Sequence, residues 1–185
     1  MKNRFFALKG FTLVELLVVI AIIGLLSTLA VVSLNSARAR ARDSKRASDV
    51  YQFQRALELY YNDNSGYPAG PGGTFKGFAL GFTDAQAPAS FKGATSLTNS
   101  GFITTAPAPG AIVYMKSVPR APQPGDGKCA SGNYDILAGP KSEYLYDASN
   151  PNDHLILFCL GQATGSTKAG QNEITPQGLT WISNN

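Results

Sequence analysis

Histidine occurs once in this sequence, tryptophan once and cysteine twice, and charged residues make up only 15% of the 185 positions. Each scarcity excludes something. Two cysteines rule out a disulfide-dense mini-protein and any metal motif built from cysteine pairs. The single histidine, His154, stands alone at the start of an apolar stretch and reads as a structural residue, not a catalytic one. No nucleophile elbow, Walker loop or dinucleotide fingerprint is present. Gly70, Gly72 and Gly73 lie in a Pro/Gly-rich loop rather than between a strand and a helix, so they do not read as a phosphate cradle. The chain is expected to be no enzyme and to carry no resident cofactor.

An average soluble protein has about 25% charged residues, and the deficit here has one location. From Phe11 to Leu34 run 24 residues with a single charge, Glu15. As a helix this stretch is about 36 Å long, enough to cross a bilayer core of about 30 Å. A simple soluble domain is thereby excluded, and 185 residues allow one ordinary domain plus this appendage. The net charge of +4 is equally uneven. Lys2, Arg4 and Lys9 precede the apolar run, and the remainder holds thirteen bases against twelve acids. So near-neutral a body lacks the broad basic footprint of a nucleic-acid protein.

A carboxylate inside a spanning helix costs about 2.5 to 3.5 kcal/mol at its centre and less near an end. A plain signal anchor has no use for Glu15. A cleaved secretory signal would have an apolar core of about 7 to 15 residues before a small-residue site, and Asn35-Ser36-Ala37 fits such a site poorly. The stretch Lys9-Gly10-Phe11-Thr12-Leu13-Val14-Glu15-Leu16, continued from Leu17 to Leu26 with Gly24 among them, resembles the processing site of type IV prepilins and of the pseudopilins of type II secretion systems. That resemblance implies cleavage after Gly10 by a prepilin peptidase, N-methylation of Phe11 as the mature N-terminus, and a role in assembly for Glu15. Val32 stands where many members have a proline, so the kink a proline would bring is not carried over.

The implied partners are copies of itself and other pilins or pseudopilins in a helical filament, the peptidase, an inner-membrane assembly platform and membrane lipid. The implied location is the cytoplasmic membrane, crossed once with the head outside the cytoplasm, and then a pilus or pseudopilus. Cleavage would expose an α-amine with a pKa of about 7.7 to 8, mostly cationic at neutral pH. Paired with Glu15 of a neighbouring subunit, it would relieve two charges that are costly alone in lipid.

Helical pattern continues past the membrane. Ala37 to Arg42 alternates good helix formers, and Val50, Phe53, Leu57, Tyr60 and Tyr61 share one apolar helix face. Asn62, Asn64, Gly66 and Pro68 then supply stop signals. Leu57 to Pro68 also resembles the helix exit of pilins and of the major type II pseudopilin. Four regions follow: a leader at 1–10, a transmembrane half-helix at 11–34, an amphipathic half-helix at 35–62 and an extracytoplasmic head at 63–185. Gly66 to Gly127 holds eleven glycines and eight prolines in 62 positions and is expected to be irregular loop. Strands are expected at Ile112–Lys116, Tyr134–Leu137, Glu143–Tyr146, Leu155–Leu160 and Leu179–Ile182. The fold class is α+β, a long N-terminal helix on a small antiparallel sheet, which the pilin resemblance also implies.

Outside the cytoplasm Cys129 and Cys159 are expected to pair, closing a loop worth about 3 to 4 kcal/mol. The alternative is two unpaired residues, Cys159 being an apolar strand position; pilins often carry such a bond near the C-terminus. Asp147, Asn150, Asn152 and Asp153 have the oxygen chemistry of a calcium site, and major pseudopilins bind calcium in a C-terminal loop. Asx residues are also what a turn requires, and the turn alone is the preferred reading. Arg38, Arg40, Arg42, Lys45 and Arg46 form a basic cluster past the apolar run that would suit anionic lipid or nucleic acid. The preferred reading is a solvated face paired to acids of neighbouring subunits. By the positive-inside rule these five bases, set against the leader's three, would hold the head in the cytoplasm; the leader motif and the paired cysteines argue for the outer side. The rival to a filament subunit is a membrane-anchored adhesin or ligand-binding protein that does not polymerise, served by Phe75, Phe78, Phe82 and Phe91.

Overall fold

The computed structural model describes residues 10–69, 78–81, 94–129 and 143–181. One helix, α1, runs Leu13–Asn64. The chain divides into two compact units, Met1–Arg38 and Ala39–Asn185. In the first, every residue from Phe11 to Leu34 is exposed, although nearly all are apolar. This part of α1 is long and apolar enough to cross a membrane. In the second unit, α1 becomes one-sided: Val50, Phe53, Ala56 and Leu57 are buried, at the three-four spacing of one helix face. Each such large side chain contributes about 1.5 to 3 kcal/mol on burial. The helix ends where Ser65 takes a positive φ of 56° and its N–H bonds the Tyr61 carbonyl at 2.8 Å. The expected stop near Asn62 is therefore two residues short.

The head carries two antiparallel sheets rather than one. The larger has the order β1-β5-β6-β7-β8, with β1 Phe78–Leu80, β5 Tyr144–Asp147, β6 Leu155–Leu160, β7 Gly170–Thr175 and β8 Gly178–Trp181. The smaller has the order β3-β2-β4, from β2 Ser96–Thr98, β3 Gly101–Ile103 and β4 Val113–Met115. β4 falls within the expected strand Ile112–Lys116, whereas β1, β2 and β3 lie in the stretch expected to be loop: its glycines and prolines separate short strands instead of abolishing them. β7 was not expected, and the Tyr134–Leu137 expectation lies outside the described residues, as do residues 1–9 of the leader, Gly70, Gly72, Gly73, Phe75, Phe82 and Phe91.

The pleat sorts β5 and β6 into two faces. Tyr144, Tyr146, Ile156, Phe158 and Leu160 join the helix stripe in the main core. Leu145, Leu157 and Cys159 face the other way, with Ala79 and Cys129. Cys129 ends the 3-10 turn Gly127–Cys129 and is disulfide-bonded to Cys159, their Cα atoms 5.7 Å apart.

Candidate functional site

The helix begins with a reciprocal cap. The Thr12 N–H and hydroxyl both donate to Glu15 Oε2, at 2.8 and 2.7 Å, and the Glu15 N–H donates to Thr12 Oγ1 at 3.2 Å. This is a capping box, in which the residue before the first turn and the acid three positions on satisfy donors the helix cannot satisfy itself. Thr12 was missed in reading the sequence, although T-x-x-E ahead of an apolar run is its signature. The carboxylate is held over the helix N-terminus, where the macrodipole favours an anion. The box begins at Thr12, the residue after the Gly10-Phe11 pair, and Gly10 and Phe11 are exposed.

Two members of the basic cluster, Arg42 and Arg46, are drawn into the head. Arg42 grips Asp126 through two bonds, Nε to Oδ2 at 2.6 Å and Nη2 to Oδ1 at 2.5 Å. That guanidinium holds the Asp126 carboxyl below the usual carboxylate range. Arg46 is 1% exposed and donates to Asp43 Oδ1 at 2.7 Å and to the carbonyls of Pro122 and Pro124 at 2.6 and 3.2 Å. Asp43, fully buried, also accepts from the backbone N–H groups of Gly161 and Gln162 at 3.0 and 2.8 Å. Gly161 is required here, because a Cβ would come within 2.6 Å of Asp126 backbone and side-chain atoms. Lys45 bonds Asp49 at 2.6 Å, and Asp49 in turn accepts from the buried Tyr144 hydroxyl at 3.0 Å. Arg42, Lys45 and Arg46 are thus partners of the head's own groups. The expectation that the cluster is a solvated face is corrected at Arg42 and Arg46; Arg38, Arg40 and Lys45 are exposed.

Three of the four Asx side chains of the β5–β6 turn, those of Asp147, Asn150 and Asp153, are used by the turn, and Asn152 takes part through its backbone N–H. Asp147 Oδ1 accepts from the N–H and hydroxyl of Ser149, at 2.8 and 2.6 Å. Asn150 Oδ1 accepts from the Asn152 N–H at 3.0 Å, and Asp153 Oδ1 from the His154 N–H at 2.9 Å. Among the described residues, no three His, Cys, Asp or Glu side chains converge as metal ligands. An open cleft of about 350 Å³ lies beside the turn, lined by Asp147, Asn150, Asp153 and Thr175 among others.

His154 itself is 2% exposed, and neither ring nitrogen has a hydrogen-bond partner. Its ring packs edge-on against Tyr67 at 4.3 Å and lies near Tyr146 at 6.3 Å. Burial pushes its pKa down to about 4, opposed weakly by Asp153. A histidine with an ordinary pKa of about 6.5 when unfolded then binds its proton only in the unfolded state between those values. Stability at neutral pH is therefore full, and is lost as the pH falls from about 6.5 toward 4, by up to about 3 kcal/mol. Urea midpoints at pH 7 and pH 4.5 should show this fall, and His154→Phe should flatten it. An unchanged difference in the variant would put the acid sensitivity elsewhere.

Comparison with known proteins bears directly on this geometry. Residues 8–31 match the family model described as the prokaryotic N-terminal methylation motif. The chain is 34% identical over 137 residues to type II secretion system core protein G of Escherichia coli K12, covering 73% of this chain and 83% of that protein. It is 33% identical over 111 residues to the type IV wide pilus major component PilA4 of Thermus thermophilus, covering 60% and 82%. The core protein G of Klebsiella pneumoniae is 43% identical over 60 residues, 32% of this chain and 43% of that protein. No solved structure matches the chain. The matched methylation motif contains the capping box, and the similarity to a secretion-system component and to a pilus component covers far more of the chain than that motif. The chain belongs to the type IV pilin and type II secretion pseudopilin family.

Proposed function

We propose that this chain is a structural subunit of a type II secretion pseudopilus or a type IV pilus, polymerised through its N-terminal helix after a prepilin peptidase removes residues 1–10. The observation that carries this reading is the wholly exposed apolar half of α1, residues 13–34, with its one carboxylate at the first turn. A lone subunit needs lipid to cover such a surface, which fits anchoring in the inner membrane with the head outside the cytoplasm. Other subunits are its natural replacement for lipid in a filament.

Glu15 has a defined part in this proposal. In the free subunit its carboxylate is satisfied by Thr12. Cleavage after Gly10 creates an ammonium on Phe11, and the Phe11 amine of a neighbouring subunit, offset along the axis, supplies the opposite charge. Cys129–Cys159 pins the 3-10 turn to the sheet and suits an oxidising compartment. Calcium at Asp147, Asn150, Asn152 and Asp153 is not required by this reading, because the turn already uses the side chains of Asp147, Asn150 and Asp153. Nucleic acid is likewise not required, since Arg42 and Arg46 serve the head.

The junction supplies the test. Mature protein recovered from filaments should begin at Phe11, carry an N-methyl group by mass spectrometry, and keep its leader in a Gly10→Val variant. Filaments built from chains that still begin at Met1 would refute the processing route.

A further inference from the structure

Between β4 and Cys129 the chain passes through Gly125-Asp126-Gly127. An aspartate followed by glycine is the least hindered setting for attack of the backbone on its own side chain. With no Cβ on Gly127, its amide nitrogen can approach the Asp126 carboxyl carbon closely. Attack there forms a new N–C bond, and a carboxyl oxygen leaves as water with the amide proton. The product is a five-membered cyclic imide. Water then adds to either imide carbonyl and returns aspartate or its isomer isoaspartate, in which the main chain runs through the side-chain carbons. The sequence needs no enzyme, oxidant or cofactor.

The folded head holds the groups this reaction must move. Arg42 grips both carboxylate oxygens of Asp126, at 2.6 and 2.5 Å, and Arg46 Nη1 lies 3.7 Å from Oδ2. The Arg42 guanidinium keeps the side chain ionised, and a carboxylate resists attack where the neutral acid does not. The Asp126 carbonyl accepts from the Cys129 N–H at 2.9 Å, and Cys129 is tied to Cys159. This carbonyl shares a rigid peptide plane with the Gly127 nitrogen, so the nitrogen cannot swing toward the side chain without breaking that bond. Gly161 closes the turn from the other side. A Cβ on Gly161 would come within 2.6 Å of the Asp126 Cβ and carbonyl oxygen, and one on Gly127 within 2.7 Å of the Gly161 carbonyl oxygen. We propose that Asp126-Gly127 is a latent site of spontaneous isoaspartate formation, kept closed in the folded head by the grip of Arg42. Arg42 thus protects a junction of the chain as well as stabilising the fold. Isoaspartate adds a carbon to the main chain just ahead of Cys129 and shortens the side chain that Arg42 holds. The network around Arg42 and Arg46 cannot then be rebuilt as it was, so the site sets a time limit on chains that stay unfolded or reduced.

The test incubates the full-length chain, purified in detergent, at physiological temperature and neutral pH. It follows the tryptic peptide 121–128, in which Asp126 is the only aspartate. Mass spectrometry with electron-based fragmentation tells isoaspartate from aspartate, and the imide is one water lighter. Folded wild type should accumulate little of either product, whereas the same chain reduced and held in urea should accumulate both steadily. Arg42→Gln, still folded by circular dichroism, should form them about tenfold faster than folded wild type, the factor expected from releasing charge-assisted hydrogen bonds. Arg42→Lys keeps the charge without the two-pronged grip and should fall between the two; it carries the comparison if the glutamine chain does not fold. Leu57→Ala empties a fully buried position about 22 Å along α1 from Arg42 and lowers stability there. Its rate should stay near that of wild type. Equal rates in the Leu57→Ala and Arg42→Gln chains would overturn the proposal, by assigning the protection to folding as a whole. Arg42 variants no faster than wild type would also overturn it, as would a folded wild type as fast as the unfolded chain. An unfolded chain that forms no isoaspartate would remove the site altogether. None of these outcomes depends on whether the chain polymerises, so the inference is tested independently of the filament reading.

Discussion

Asp43→Ala should destabilise the head by about 3 to 5 kcal/mol, the cost of stripping one partner from a buried ion pair. The carboxylate is fully buried and accepts from Arg46, Gly161 and Gln162. Without it the Arg46 guanidinium stays in place, 1% exposed, with the Pro122 and Pro124 carbonyls and the more distant Asp126 carboxylate, at 3.7 Å and already held by Arg42, to receive it. Two backbone N–H groups at the end of β6 lose their acceptor as well, each at about 1 to 3 kcal/mol unless water enters. Denaturant midpoints of the purified chain measure the loss. Replacing both partners, Asp43→Leu with Arg46→Met, should recover much of it, since an apolar pair leaves no uncompensated charge. A single Asp43→Ala variant within about 1 kcal/mol of wild type would mean that water, not Asp43, satisfies Arg46. The same network sets where the head begins. A fragment starting at Ala47, where the apolar stripe starts to dominate, lacks Arg42, Asp43 and Arg46; one starting at Ala39 keeps all three and should be markedly more stable.

That network shows why part of the molecule was hidden in its sequence. Arg38, Arg40, Arg42, Lys45 and Arg46 look alike on paper, and a run of bases after an apolar helix suggests an outward face. What separates Arg46 from Arg40 is their angular position on α1 and the Pro122–Asp126 loop, some 76 to 84 residues away in the chain, which arrives beneath one and not the other. Nothing local encodes that arrival. The same reason hid β7. Its sequence, Gly170–Thr175, is mostly polar, and Ile174 alone marks its core face. It is a strand because β6 and β8 flank it, and Gln171 and Asn172 are buried by those neighbours.

Elements whose signal is local were plain. β6 matches its expected span because both its faces are buried, which makes Leu155–Leu160 a continuous apolar run. The helix stripe at Val50, Phe53 and Leu57 is likewise periodic in the sequence itself. β2 and β3 lie between the two cases. They are three residues each, joined by Asn99-Ser100 with Gly101 at a φ of 90°, a turn signal outweighed by the glycine and proline around it. At the N-terminus the methylation motif and its lone charge are legible in the sequence, whereas the cap is seen in the geometry of Thr12 and Glu15. The chemistry of Glu15 is therefore richer than a bare carboxylate in an apolar helix.

Glu15→Leu should insert and be processed at least as well as wild type, and should fail at assembly. Insertion loses nothing, because the substitution removes a polar group from the apolar segment. Processing concerns the Gly10-Phe11 bond, which the substitution leaves intact. In the filament each subunit would then present a Phe11 ammonium with no carboxylate to meet it. Removing one partner of a buried pair costs about 3 to 5 kcal/mol, several hundredfold or more in the equilibrium for adding a subunit. The capping box offers a competing account, since leucine also leaves the Thr12 N–H and hydroxyl without their acceptor; lost caps cost about 1 kcal/mol. Glu15→Gln separates the two. Glutamine can accept from Thr12 and complete the box, yet it carries no charge for the amine. If charge pairing drives assembly, the glutamine chain should be nearly as defective as the leucine chain, with helix content intact by circular dichroism. If the cap is what matters, glutamine should restore filaments and Thr12→Ala should abolish them. Wild-type filament yield from Glu15→Gln subunits expressed alone would therefore eliminate the amine–carboxylate mechanism while leaving the capping role of Glu15 standing.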